Sequence, residues 1–354
     1  MDLLNHSLYR TDLVRINTAD HLPWEKLKNA SVLLSGATGM IGSCLVDAIM
    51  YRNVEMSWNC SVYALGRNEK RAATRFARWL DHPCFHFIAA DVNNPVNPDL
   101  PVDYVLHLAS HTHPVAYATD PIGTITTNIV GTRNMLDLAV RCKARRFVFA
   151  SSNEIYGENR GDREFFDETS MGYIDSNTLR AGYPESKRCG EALCQAYKKQ
   201  EGLDVVVARL TRSFGPTLLP TDTKALSQFL RNALDKKDIV LKSAGNQYYS
   251  YTYAADAVTG ILTVMLLGEN GEAYNIADVS YDIRLKDLAQ MIAGIAGTKV
   301  VFEMPSETES QGFSKATKAR LDGAKLRTLG WQVSGTLEDD LKKTLDILKD
   351  VAGK

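Results

Sequence analysis

The run Ser31-Val32-Leu33-Leu34-Ser35-Gly36-Ala37-Thr38-Gly39-Met40-Ile41-Gly42 decides the fold of this chain. Ser31–Ser35 is a short aliphatic segment bounded by glycine, the pattern of a buried strand. It passes directly into a G-x-x-G-x-x-G spacing, and behind it Ile41, Leu45, Ala48 and Ile49 fall on one face of a helix. Glycines let the backbone turn tightly and approach a diphosphate, whose charge then sits at the positive helix N-terminus. A lone glycine triplet is weak evidence; the strand before it, the helix after it and the strands that follow give it a dinucleotide-binding context. Gly36, Thr38, Gly39, Met40, Ile41 and Gly42 are therefore expected to contact a dinucleotide.

Outward from this loop, further strands are expected at Ser61–Leu65, Phe85–Ala89, Tyr104–Leu108, Phe147–Ala150 and Val205–Leu210. Helical patterns separate them; Met135, Leu138 and Ala139 share one face. Strands alternating with helices predict an α/β fold, a Rossmann-type doubly wound parallel sheet covered on both faces. Residues 1–30, with Trp24, read as an N-terminal extension packed on the outside of this core, and 31–210 as the core itself. Past Arg209 the order changes. Pro216 and Pro220 break the chain, and helices at Ala225–Leu234, Leu285–Ala296 and Leu337–Leu348 alternate with short strands such as Asp238–Leu241. Residues 211–252 and 268–354 are thus expected to form a smaller interleaved α/β substrate lobe, with 253–267 returning to the core.

Composition narrows the function. The chain has 354 residues, 45% hydrophobic, with 41 basic against 42 acidic side chains, a balance that argues against a nucleic-acid binder. No stretch approaches the ~18 consecutive apolar residues of a membrane span. The opening MDLLNHSLYRTDLVR interrupts its apolar residues with charges, unlike a secretory signal. Cys44, Cys60, Cys84, Cys142, Cys189 and Cys194 contain no C-x-x-C, so reduced thiols and a cytoplasmic location are expected.

The chemistry-bearing residues lie at strand ends. The second strand closes on Gly66-Arg67-Asn68, where a carboxylate would hold the ribose of NAD and an arginine can accept a 2′-phosphate or stack on adenine. Arg67 leans toward NADP on electrostatics; a solvated arginine beside NAD stays open. Asp91 and Val92 follow the third strand, placed for the adenine edge. Tyr183 and Lys187 are four residues apart on one helix face, and an adjacent ammonium favours the ionised phenol. Such a pair can take a proton from a sugar hydroxyl as hydride leaves the same carbon. Ser152 and Glu154 bring a hydroxyl and a carboxylate to the same rim. His111 and His113 have no third ligand at suitable spacing, so substrate contacts rather than a metal are expected.

Together these motifs resemble the extended short-chain dehydrogenase/reductase family of nucleotide-sugar-modifying enzymes. The resemblance spans roughly 31–348: the glycine loop, His107-Leu108-Ala109-Ser110, Asn128-x-x-Gly131-Thr132, Tyr183-x-x-x-Lys187, Gly215-Pro216 and Leu329-Gly330-Trp331. The runs HLASHTHP (107–114), TITTNIVGTRNML (124–136) and RAGYPESKR (180–188) are most similar to the UDP-glucuronate decarboxylase branch. The resemblance implies a tightly bound NAD or NADP working by internal redox, with Tyr183 as the base for the 4-hydroxyl and Lys187 lowering its pKa and binding the nicotinamide ribose. It makes Ser152 a hydrogen-bond partner of the reacting oxygen and Glu154 a second acid–base or orienting carboxylate. Leu108, Ala109, Ser110 and Asn128 fall on the cofactor side, and Arg180 on the sugar side. It also implies a homodimer through two long helices, here carrying Met135, Leu136, Leu193, Cys194 and Tyr197.

The chain departs from that pattern in two places. Asn153 stands where the family's dehydratases carry an acidic Asp, which argues against 4,6-dehydration, and Glu154 counts against simple 4-epimerisation. In Gly245-Asn246-Gln247-Tyr248-Tyr249, Tyr249 occupies the place of a diphosphate-binding arginine near the reacting end, and one neutral donor does not replace a charged fork. Arg212 stands where relatives have Asn. It is expected to supply the displaced charge, helped by Lys224 in Asp222-Thr223-Lys224, unless it is engaged in a local salt bridge. Gln247, Tyr249 and Asp222 complete the expected substrate contacts. The leading expectation is a nucleotide-sugar decarboxylase acting through a 4-keto sugar. A 4-epimerase, a net NADPH-dependent reductase of a nucleotide-linked sugar or polyol, and a catalytically silent dinucleotide-sensing scaffold remain alternatives.

Overall fold

A computed structural model describes residues 3–96, 101–112, 114–306 and 317–353. Strands β1 (Ser31–Ser35), β2 (Ser61–Gly66), β3 (Phe85–Ala89), β4 (Tyr104–His107), β5 (Arg146–Ser152) and β6 (Val205–Leu210) join one parallel sheet. The lobe contributes β7 (Arg212–Phe214), β8 (Ile239–Leu241), β9 (Tyr248–Tyr253), β11 (Asp282–Arg284), β12 (Val300–Phe302) and β13 (Lys318–Ala319). Between β9 and β11 lies β10 (Ala273–Ile276), and it belongs to the large sheet, whose order is β10-β6-β5-β4-β1-β2-β3. The boundary expected at 268 is corrected accordingly: 273–276 pairs in parallel with Val207–Leu210. This strand escapes periodicity because Asn275 sits in its middle. Asn275 is fully buried, accepts from Tyr156 Oη (2.7 Å) and donates to the carbonyls of Phe166 (3.0 Å) and Asp322 (2.9 Å), so its burial leaves no unmet polar group.

All five residues of β1 are buried, as a parallel strand covered on both faces requires. Val32 and Leu34 join one hydrophobic cluster with helices α1 (Ser7–Asn17) and α2 (Met40–Met56); Leu33 joins the opposite one. On that opposite face, after α3 (Glu69–Arg75) and α4 (Pro114–Thr119), lie the long helices α5 (Pro121–Arg141) and α6 (Gly182–Glu201). Met135, Leu136 and Cys194, whose apolar surplus suggested a subunit interface, are fully buried inside this cluster; their apolar surface is already spent on the chain's own core.

The N-terminal helix packs on the helices that cover the sheet, α2 among them, through a buried face. Tyr9, Leu13 and Ile16 are buried, and Tyr9 Oη donates to Asp47 at 2.7 Å, a carboxylate that also accepts from Trp79 Nε1 at 2.9 Å. Helix α7 (Ala225–Leu234) lies in the lobe, α8 (Ala254–Leu267) packs against α2 and β6 of the core, and α9 (Leu285–Ala296) and the C-terminal helix Leu337–Ala352 pack with α7. The six cysteines are free, and no described helix is long and apolar enough to cross a membrane.

Chain order reverses between β1 and β4, leaving a crevice at their carboxyl ends. His107 closes β4 beside it, with Nδ1 at 2.7 Å from Ser35 Oγ and Nε2 at 3.1 Å from Thr132 Oγ1. Thr132 spends its hydroxyl proton on the Asn128 carbonyl, so it accepts from Nε2–H, and Nδ1 accepts from Ser35. Burial and the Lys187 charge hold His107 down at about 3. An unfolded histidine titrates near 6.5, so between these values the unfolded chain binds the extra proton and acidification destabilises the fold by roughly 1.4 kcal/mol per pH unit. Urea unfolding of wild type and His107→Asn at pH 7 and pH 4.5 checks this. Wild type should lose about 2 kcal/mol more than the variant over that interval; equal losses would contradict the assignment.

Candidate active site

The glycine loop is built by close approach. Gly36 has φ +70°, and a Cβ there would lie 2.8 Å from the backbone nitrogen of Ala109; a Cβ on Gly42 would collide with the Gly36 carbonyl. Gly39 caps α2 without a side-chain hydrogen bond, so the first-turn N–H groups are not taken by a capping side chain. These residues fit a dinucleotide diphosphate: backbone donors at a long helix N-terminus, with side chains excluded from the approach. Arg71, which sequence patterning did not single out, fixes the loop by donating to the Thr38 carbonyl at 2.9 Å.

From this loop a cavity of about 590 Å³ runs over the ends of β1, β4, β5 and β6 to the lobe. Gly36, Thr38, Gly39, Met40, Ile41, Gly42, Arg67, Asp91, Val92, Leu108, Ala109, Ser110 and His111 line the core side of its wall; His113 lies outside the described residues. Arg67 is 61% exposed, with Nη1 3.8 Å from Asp91 Oδ2, so its charge faces a carboxylate instead of standing alone for a 2′-phosphate. Asn128 is corrected: it is fully buried and does not line the cavity. It accepts from Ser110 Oγ (2.7 Å) and donates to Ser186 Oγ (2.9 Å), which donates to the Tyr183 carbonyl (2.8 Å), and so ties the cofactor-side loop to the start of α6.

Tyr183, Lys187, Ser152, Asn153 and Glu154 meet at the carboxyl end of β5. Lys187 Nζ donates to the Ala150 carbonyl at 2.8 Å, and burial brings the ammonium down to about 8. Burial, then the Glu154 charge, push Tyr183 up to about 12, against the lowering effects of Ser152, Arg180 and Tyr117. The Lys187 donor is turned to the β5 backbone. Ser152 Oγ accepts from the Glu154 backbone N–H at 3.2 Å, fixing the turn that presents the carboxylate.

Arg180 pairs directly with Glu154 and places its Cζ 4.8 Å over the Tyr117 ring, so it is committed to the protein's own groups while still lining the cavity. Tyr117 itself was missed by sequence reading. It lies within α4, buried and stacked on Tyr183 with ring centroids 4.7 Å apart. Its only sequence signal is proximity to the HLASHTHP run.

On the lobe side, Arg212, Asp222, Lys224, Gln247 and Tyr249 all reach the cavity wall. Lys224 Nζ is 3.1 Å from Asp222 Oδ2, so its charge already has a partner where it lines the cavity. Gln247 Nε2 donates to Ser243 Oγ at 3.2 Å. The Arg212 guanidinium lies 3.5 Å over the Tyr249 ring, and no carboxylate among the described residues pairs with it. Its Nη1 is buried without a hydrogen-bond partner.

Residues 32–277 match the NAD dependent epimerase/dehydratase family. UDP-glucuronic acid decarboxylase 1 of Xenopus tropicalis is 32% identical over 314 residues, covering 89% of this chain and 71% of the relative. UDP-glucuronic acid decarboxylase 3 of Arabidopsis thaliana is 30% identical over 313 residues, covering 88% and 87%. Among solved structures, the dTDP-glucose 4,6-dehydratase of Streptomyces venezuelae, determined with NAD bound, superposes with a TM-score of 0.79 at 23% identity, over 91% of this chain and 98% of its own.

Removing the Glu154 charge takes away the nearest anion that raises Tyr183 and leaves Arg180 uncompensated, and both changes lower the phenol. Ultraviolet titration of Glu154→Gln, with Tyr183→Phe subtracted as background, should show Tyr183 ionising at least about one pH unit below wild type. An unchanged transition would refute this reading of the cluster.

Proposed function

The chain belongs to the NAD dependent epimerase/dehydratase family, and from that premise we propose that it is a nucleotide-sugar decarboxylase acting on UDP-glucuronic acid through a transient 4-keto sugar. The observation that carries this reading is the convergence of Tyr183, Ser152 and Glu154, with the amide Asn153 between the last two, in the same cavity as the glycine cradle. When bound, NAD supplies a reversible acceptor for the C4 hydride.

Tyr183 takes the proton of the 4-hydroxyl, and Ser152 holds the same oxygen. With C4 a ketone, the carboxylate on C5 is β to a carbonyl. The C5–C6 bond breaks, CO2 departs, and the electron pair moves into an enolate whose oxygen stays between the Tyr183 and Ser152 hydroxyls. A proton then returns to C5, and return of hydride to C4 restores the alcohol as Tyr183 gives back its proton. Glu154, held by Arg180 and the Ser152 turn, is the carboxylate positioned to orient the sugar or handle the C5 proton. Asn153 has no acidic proton for a departing 6-hydroxyl, which sets this site apart from dehydration. The exposed Arg67 facing Asp91 supports NAD over NADP.

Incubation of the purified protein with UDP-glucuronic acid should give a UDP-pentose lighter than substrate by one CO2, with no net change in nicotinamide absorbance. Tyr183→Phe should lower kcat by about 10²–10⁴. Stoichiometric consumption of reduced nicotinamide, or a product of unchanged mass, would overturn the proposal.

A further inference from the structure

We infer that Arg212 binds the carboxylate of the sugar and selects uronic acids over neutral sugars at this site, an inference that rests on the decarboxylase reading above. Three cations near the reacting end already have partners: Arg180 has Glu154, Lys224 has Asp222, and Lys187 donates to the Ala150 carbonyl. Arg180 Nε and Arg212 Nη1 are both buried without a hydrogen-bond partner, but Arg180 has the Glu154 carboxylate, whereas no described carboxylate pairs with Arg212. A guanidinium donor removed from water and left unbonded is costly, and an anionic ligand group removes that cost.

Geometry favours a carboxylate. The guanidinium is fixed over the Tyr249 ring at 3.5 Å, a stack that restrains its plane and leaves the edge N–H groups for a planar, two-oxygen acceptor. Position favours the carboxylate of the sugar over the diphosphate. Arg212 borders both the main cavity and a small chamber of about 70 Å³, and the two share Asn153, Glu154 and Arg180 as wall. With O4 held by Tyr183 and Ser152, the neighbouring substituents are the C3 hydroxyl and the C5 carboxylate, whereas the diphosphate on C1 lies across the ring. Of the two neighbours only the carboxylate is an anion, and it is the one assigned to Arg212.

Calorimetric titration of the NAD-loaded protein with UDP-glucuronic acid, UDP-glucose and UDP tests this, comparing wild type, Arg212→Gln and Arg212→Lys. Wild type should prefer UDP-glucuronic acid to UDP-glucose. Arg212→Gln should weaken UDP-glucuronic acid by about tenfold to a hundredfold and erase the preference, with UDP-glucose and UDP unchanged within about twofold. Arg212→Lys, which keeps charge but loses the fork, should fall between. An equal loss for all three ligands would overturn the inference by assigning Arg212 to the diphosphate or to the scaffold. A preference retained in Arg212→Gln would overturn it while leaving the decarboxylase reading intact; no preference in wild type would overturn that reading too. Arg212→Lys provides a second folded variant should the neutral one fail to fold.

Discussion

The approach of Gly36 to the Ala109 backbone is the constraint on which the rest of the site depends. Only a residue without a Cβ, in left-handed backbone, lets the turn after β1 lie against the segment leaving β4. That contact sits where the strand order reverses, so it shapes the crevice from which the cavity runs to the lobe. A hydrogen-bonded path starts at the same place. Ser35 at the end of β1 bonds His107, His107 bonds Thr132, and Thr132 bonds the Asn128 carbonyl; Asn128 then reaches Ser110 on one side and Ser186 on the other. Ser186 bonds the Tyr183 carbonyl. The cradle and the phenol are thus parts of one buried polar lattice, and Asn128 acts within it by fixing positions rather than by touching a ligand.

How much of this was legible in the sequence follows from what periodicity can encode. Strands β1, β2, β4, β5 and β6 are largely apolar runs between glycine-rich or polar turns, and burial on both faces leaves that mark; the edge strand β3 is only partly buried and shows it through Phe85, Phe87 and Ile88. Strand β10 leaves none, because its central Asn275 is satisfied by groups from Tyr156, Phe166 and Asp322, each remote in sequence. The same limit applies in the site. Tyr183 and Lys187 share a helix turn and announce themselves; Tyr117 reaches Tyr183 only through the packing of α4 against α5 and the 179–181 turn that precedes α6. The partners of charged groups were equally hidden. That Arg180 closes on Glu154 and Lys224 on Asp222 is decided by side-chain geometry, so residues that look like ligand-binding cations are largely neutralised from within.

The electrostatics of the phenol follow from those pairings. Burial and Glu154 hold Tyr183 protonated near neutrality, while Ser152, Tyr117 and Arg180 pull the other way. Lys187 is buried enough to titrate at about 8, so its ammonium is itself only moderately secure at physiological pH. Glu154 and Arg180 are paired, and the same guanidinium lies over the Tyr117 ring that stacks on Tyr183, so the phenol, the carboxylate and the arginine form one coupled cluster.

The exchange of charge across the lobe sheet completes this logic. Strands β7 and β9 pair in parallel with Arg212 opposite Tyr251, and Tyr249 is two residues before Tyr251, on the same face. Arg212 and Tyr249 are therefore diagonal neighbours, close enough for the guanidinium to lie on the ring. An arginine at 249 would place its charge on β9; an arginine at 212 with tyrosine at 249 moves it one strand over, by about 4.8 Å, and gives it an aromatic seat. The tyrosine that departs from the family pattern when read alone is, in the folded chain, the surface on which the Arg212 guanidinium lies, in the wall of a chamber that Glu154 also lines.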